Sequence, residues 1–410
     1  MQSLRIQRRN LDGQSLPAAG LLRRFAPRND VVVVLLATAL AATLTTGFVT
    51  LAPNRLVSGQ PIGLVAAAGP GFAAVIAALG AALLMTALRS PSRGLHLVAA
   101  VLAGALLLVA LAAAGRAAAR LEIGAPALAR ISLGPGFWIL LTAASLAVVD
   151  GLQRAAAGPR LRLLAATALI AAFLLMAAAG VFDALSLAHE YRARQDSFAA
   201  AMLRHVVLVV AAVGPALLIG FPLGIAAVRR PQFQGPLFAL LNLLQTIPSI
   251  ALFGLLLVPL SALASAVPAL AAIGIGGVGP APAIIALILY ALLPVARNST
   301  LGIAGADPAV VEAARGMGMT PRQLFLQVEL PLAMPVLLAG LRIVLVQTIG
   351  LAVVAALIGA GGLGRFVFAG LGQYAGDLVL LGALPAIGLA LAADFLLKLL
   401  TALITPGARR

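Results

Sequence analysis

The 410-residue chain has no cysteine, one lysine, one tryptophan and three tyrosines, and only 12 of its residues are acidic. Without thiols it cannot form disulfides, thiolate metal sites or a thiol nucleophile, and its redox compartment stays open. A Walker A loop needs Gly-Lys-Ser/Thr, and the single lysine stands in Leu397-Lys398-Leu399, so the chain binds no ATP by that route. His96, His189 and His205 are scattered, with no metal-ligand spacing. The chain therefore reads as a non-enzyme that holds no cofactor or metal. Aromatic side chains are too few and too scattered to suggest a cage for a cationic ligand. No internal repeat is evident, so an inverted-repeat carrier architecture gains no support.

What is present is apolar. Hydrophobic residues make up 62% of the chain and charged ones 10%, with a mean hydropathy of +1.10, which defines an all-α polytopic membrane protein. The net charge of +16 does not point to nucleic acid, because the basic residues lie in short loops between apolar runs. Runs long enough to span a bilayer, about 20 residues each, fall near 31–52, 62–88, 95–115, 133–150 and 163–186, then near 201–228, 234–259, 279–296, 337–359 and 378–404. This predicts about ten transmembrane helices. The segment 262–277 is apolar but short and glycine-rich, and is read as re-entrant or interfacial. The basic first 30 residues precede a span-length run, which indicates a retained anchor and not a cleaved signal.

With the amino terminus inside, 20 of the 28 basic residues fall on the cytoplasmic side, which satisfies the positive-inside rule and places both termini in the cytoplasm. Arg116, Arg120 and Arg130 in one outer loop go against that bias. A polar break at 189–197 divides the chain. The expected organisation is a basic cytoplasmic tail (1–30), an N-terminal membrane extension of about five spans (31–187), a periplasmic linker (188–199) and a membrane core (200–405) with a cytoplasmic loop at 298–336.

That loop is the most informative part of the sequence. Asp307 can cap a helix that Pro308 opens, since the proline's missing N–H costs nothing at the first position. Gly316 and Gly318 then break it. Thr320 and Gln323 form a capping box for a second helix, which Leu330-Pro331 is expected to end before the next span. Ala313 and Ala314 give the first helix a flat face suited to a groove on another protein. The spacing Glu312-Ala313-Ala314, three residues, Gly318, nine residues, Val328-x-Leu330-Pro331 resembles the EAA loop of bacterial ATP-binding-cassette (ABC) importer permeases.

In that family the loop is the part gripped by the ATPase. The resemblance extends over 200–405 through Gln245-Thr246-Ile247-Pro248-Ser249, Leu289 to Asn298 and Ile358 to Gly364, which look like the permeases of glycine betaine, choline and carnitine uptake systems. It implies a type I ABC importer permease core in the cell's inner membrane. The implied partners, besides membrane lipid, are ABC ATPase subunits that use ATP and Mg, a second permease subunit, identical or homologous, and an extracytoplasmic solute-binding protein. The first half looks like the extra membrane region of some members. Because the chain ends at Arg410, just after its last span, a separate binding protein is expected.

Asn242, Gln245, Thr246 and Ser249 follow i, i+3, i+4, i+7 spacing in the span 234–259, and Pro248 interrupts its hydrogen bonding. Polar groups at a broken helix near the midplane suit a solute path, with Gln347 and Thr348 as further candidates. The same groups can instead hydrogen-bond neighbouring helices. Asp394 and Lys398, spaced i, i+4, are either an ion relay or a pair near the cytoplasmic end with Lys398 snorkelling outward, and Arg342 also lies near such an end. The Gly359–Gly364 cluster follows an apolar span with no strand before it, so it does not read as a phosphate cradle. Two other functions remain open at this level: an ion-coupled secondary carrier and a non-transporting assembly protein. Within the importer reading, the solute can also be a small molecule outside the osmoprotectant class.

Overall fold

The structure, a computed structural model, describes residues 30–404 apart from 56, 90, 91, 127 and 273. The basic tail and the carboxy-terminal Arg409 and Arg410 lie outside the described residues. The rest divides between Leu185 and Ser186 into two compact units.

The first unit runs α1 (Asp30–Thr45), β1 (Val49–Ala52), β2 (Gln60–Ile62), α2 (Leu64–Ala68), α3 (Pro70–Leu88), α4 (Arg93–Glu122), β3 (Arg130–Leu133), α5 (Pro135–Arg154) and α6 (Pro159–Ala178). The strands form an antiparallel sheet in the order β2-β1-β3, with Val49 opposite both Ile62 and Leu133. An all-helical reading did not anticipate it. The expected span 31–52 is shorter than predicted, because Thr45-Thr46-Gly47 ends α1 and the β-branched Val49 and Thr50 pair across strands instead. Phe48 and Phe137, both fully buried, meet edge to face at 5.7 Å and tie the sheet to the helices. Arg116 and Arg120, expected in a loop, lie on the last turns of α4, which is longer than its apolar run.

The second unit runs α7 (Ser186–Arg192), α8 (Gln195–Arg229), α9 (Pro231–Thr246), α10 (Ser249–Ala266), α11 (Pro268–Ala272), α12 (Pro280–Ala304), α13 (Pro308–Gly316), α14 (Pro321–Leu324), a π-helical segment (Phe325–Glu329), α15 (Leu330–Val354), a 3-10 turn (Ala355–Ile358), α16 (Gly364–Gly372) and α17 (Gly376–Ile404). The stretch 188–199 is therefore largely helical, and not an open linker. Glu190 is buried and held by Arg194 one turn on. The loop predicted at 298–336 is shorter as well, since Asn298 to Ala304 still belong to α12 and Leu330 onward to α15.

Small residues bring α8 against α12. A Cβ on Gly224 would lie 2.5 Å from the Ser299 side chain and 2.6 Å from the Ala296 carbonyl. At the same crossing the Thr300 hydroxyl donates to the Gly224 carbonyl at 3.1 Å. Close backbone approach and one interhelical hydrogen bond are what hold helices together where lipid offers no hydrophobic drive. Among the described residues nine helical segments are long and apolar enough to cross a membrane. The expected span 234–259 is not one helix: α9 stops at Thr246 and α10 starts at Ser249. The segment 262–277 carries the end of α10, the single turn α11 and a glycine-rich turn.

Candidate coupling loop and translocation path

Asp307 accepts the Ala309 amide at 2.9 Å and caps α13. The helix closes in a Schellman motif, with the Met319 amide on the Ala314 carbonyl at 3.3 Å and the Gly318 amide on the Arg315 carbonyl at 2.9 Å. Gly318 supplies the left-handed residue (φ +80°) that this motif requires, while Gly316 is simply the last helical residue. The capping box is present: the Thr320 amide donates to Gln323 Oε1 at 2.9 Å, and the Gln323 amide to Thr320 Oγ1 at 3.4 Å.

Glu312 and Ala313 are exposed, but Ala314 is 2% exposed, so the two alanines do not share one outer face. Leu330-Pro331 does not end the second helix. The chain stays helical from Pro321 to Ile358, passing through the π segment, where the Leu330 amide reaches the Phe325 carbonyl. Pro331 has no N–H for the carbonyl four residues back, and a π register lets a later amide serve there. Val328 and Leu330 are half-buried in this passage, and Pro331 is exposed.

One anchor was not seen in the sequence. Glu329, 4% exposed, is paired with Arg229 from the last turn of α8, which ties the loop's second arm to another helix of the unit. An acid directly before a span was the available signal. Arg229, Arg315 and Arg322 line a groove of about 640 Å³ beside Phe325, so the loop's base is strongly cationic.

The candidate path centres on the break at Ile247-Pro248. Ile247 is extended (φ −71°, ψ 125°), and Pro248, which has no N–H, precedes α10. Tyr290 of α12 closes the gap from the side. Its hydroxyl donates to the Ile247 carbonyl, and its own carbonyl accepts Gln245 Nε2 at 2.7 Å. Thr246 donates within α9, to the Leu243 carbonyl at 2.7 Å. One turn earlier Asn242 Oδ1 accepts Arg297 Nη2 at 3.3 Å, and the guanidinium lies 5.9 Å from the centre of the Phe238 ring.

Ser249 starts α10, so it does not continue the α9 face on which it was counted. The break turns the chain between Thr246 and Ser249. Asn242, Thr246 and Pro248 are exposed, and Gln245 and Ser249 half-buried. On α15 Gln347 is half-buried and Thr348 buried. Tyr290 and Arg297 make contacts that the sequence does not announce. Their signal was a tyrosine and a lone arginine on an otherwise apolar span.

Asp394 does more than pair with Lys398, whose Nζ lies 2.5 Å from Oδ2. Arg342 Nε of α15 lies 3.3 Å from its Oδ1, which makes a three-residue link between α15 and α17. The glycine cluster forms a turn after the 3-10 segment, with Gly359, Gly361 and Gly362 all at positive φ, and Arg204 donates to the Ala360 carbonyl at 3.2 Å. His205, fully buried, packs under Gly362. Among the described residues no group of three His, Cys, Asp or Glu side chains has metal-binding geometry.

Packed membrane-length helices, a capped polar loop between two of them and a polar break in a neighbouring span define a polytopic membrane protein with the features of a permease. Residues 216–410 match the family of binding-protein-dependent transport system inner membrane components, and residues 27–188 match the N-terminal domain of the ABC transporter permease YehY. The carnitine transport permease protein OpuCB of Listeria monocytogenes is 41% identical over 207 residues, 50% of this chain and 88% of that protein. The osmoprotectant import permease protein OsmW of Salmonella typhimurium is 41% identical over 203 residues, 50% of this chain and 89% of that one. The choline transport system permease protein OpuBB of Bacillus subtilis is 37% identical over 202 residues, 49% and 86% of the two chains. The chain belongs to the binding-protein-dependent transport system inner membrane component family and is the permease of an ABC importer. As such it is a multi-pass membrane component that works with an ATPase and a solute-binding protein.

Proposed function

We propose that this permease admits a quaternary ammonium osmoprotectant of the glycine betaine, choline or carnitine type across the inner membrane. The observation that carries the reading is the 41% identity to a carnitine transport permease over 207 residues, 88% of that protein's length. A path with few fixed charges supports it, because conduction needs binding weak enough to release the solute.

Both termini are cytoplasmic in this reading, and so is the loop 307–331. That loop docks on ABC ATPase subunits, which bind and hydrolyse ATP with Mg, while this chain itself holds no cofactor and catalyses no reaction. A second permease subunit, identical or homologous, completes the pathway, and an extracytoplasmic solute-binding protein captures and delivers the solute. The test is uptake of labelled betaine, choline and carnitine in cells lacking their other carriers. Uptake should require this chain, its ATPase and its binding protein together. No ATP-dependent uptake of any such compound would remove the solute assignment and leave the importer class standing.

A further inference from the structure

Between Pro231 and Ala306 the chain has a single charged residue, Arg297. It sits on α12 two turns past Tyr290, about 10 Å nearer the coupling loop at the helical rise. Its contacts among the described residues are Asn242 Oδ1 and the Phe238 ring, with no carboxylate. Asn242 belongs to the same α9 whose broken end carries Gln245. A solute moving from the break toward the coupling loop therefore meets the guanidinium next.

An exposed guanidinium with no acid beside it, two turns from the loop end of a membrane-length helix, can mark a solute path. The planar fork matches a carboxylate. Glycine betaine and carnitine carry a carboxylate besides their trimethylammonium group, and choline carries a hydroxyl in its place. The cationic end has no acidic side chain to hold it on this segment, so Arg297 is the one charged group of the segment that can tell these solutes apart.

We propose that Arg297 receives the carboxylate end of the solute at the loop end of the path, so that the permease passes carboxylate-bearing quaternary ammonium compounds in preference to choline. The inference rests on the quaternary ammonium reading. Asn242 and Phe238 hold the guanidinium in place between transport events without neutralising it.

The test uses the whole transporter, permease with ATPase and binding protein, in proteoliposomes. Uptake of labelled betaine, carnitine and choline is compared for the wild type, Arg297→Gln and Arg297→Lys, with ATPase assembly measured on each. Arg297→Gln should lower betaine and carnitine uptake about tenfold relative to choline, the scale of one lost charge-assisted hydrogen bond. Arg297→Lys should recover part of it. If the wild type carries no choline, recovery by lysine over glutamine decides instead. An equal fall for all three solutes, or no fall, overturns the inference while the solute class stands. A wild type that carries none of the three overturns the solute class and the inference with it.

Discussion

The pair Arg229–Glu329 allows a quantitative test of how the loop is fixed to the membrane core. Its two members are unequally placed: the Glu329 side chain is 6% exposed and that of Arg229 43%. Arg229→Met therefore strands a carboxylate that has almost no access to water, whereas Glu329→Gln leaves an arginine that can turn to solvent. Breaking a fully buried pair costs about 3–5 kcal/mol and an exposed pair about 0–1 kcal/mol. With one partner half in solvent, Arg229→Met should cost about 2 kcal/mol and Glu329→Gln about 1 kcal/mol. The double variant should cost no more than Glu329→Gln alone, since the stranded charge is then gone, which gives a coupling of about 2 kcal/mol. Denaturation of the purified permease in a mild detergent measures the four corners of the cycle, and uptake measures their effect on transport. Additive single effects, within about 0.5 kcal/mol, would show that the two side chains do not support each other.

Gly318→Asp should abolish uptake while the protein still reaches the membrane. A Cβ there meets nothing within 4 Å, so the fault is the φ of +80°, worth about 1–2 kcal/mol in a non-glycine residue. Normal uptake would remove the loop's assigned role. The absence of native cysteine makes introduced thiols unique. Cysteines at Ala306 and Ala157 should resist an impermeant reagent in intact cells, and those at Ser197 and Gln373 should react; labelling at 306 would contradict a cytoplasmic loop. Tyr290→Phe removes the hydroxyl that serves the Ile247 carbonyl and should cost about 0.5–1.5 kcal/mol of stability. It should lower uptake without affecting ATPase assembly, and unchanged uptake would mean that the break needs no support from α12.

Hydrophobic run length identified most helices correctly, because in a bilayer every span must satisfy its own backbone and therefore declares itself by composition. The capping chemistry of 307–323 was readable for a similar reason: Asp307, Gly318, Thr320 and Gln323 act through their own backbone neighbours. What escaped is non-local. Val49 and Leu133 are 84 positions apart and pair only once α4 has brought the strands together, so no periodicity announces the sheet. Arg229–Glu329, Arg342–Asp394 and Gln245–Tyr290 likewise depend on which helix neighbours which, and an apolar pattern that is nearly uniform around each helix does not say. Ser249 does not share the α9 face because Pro248 starts a new helix and does not kink a continuous one.

The converse holds at Leu330-Pro331, where a terminus is expected and the helix instead passes the proline by a π turn. The consequence is mechanical, because the second arm of the coupling loop is the first turns of a helix that continues without interruption to Ile358. At its far end the Gly279 amide meets the Ile358 carbonyl at 2.8 Å, next to the turn held by Arg204. A push on 321–329 can therefore be carried along one helix to the turn at its far end, and the π segment is where it can be absorbed or passed on. Pro331→Ala restores an N–H and removes the reason for the π register. Reversion to α-helix would rotate the arm by about 100° against the span, one residue's turn at 3.6 per turn, and carry Glu329 away from Arg229. The expected result is a permease that still binds its ATPase but spends more ATP per solute, measured as hydrolysis against uptake in the same proteoliposomes. An unchanged ratio would show that the π segment is a passive accommodation of Pro331 and has no part in transmitting the stroke.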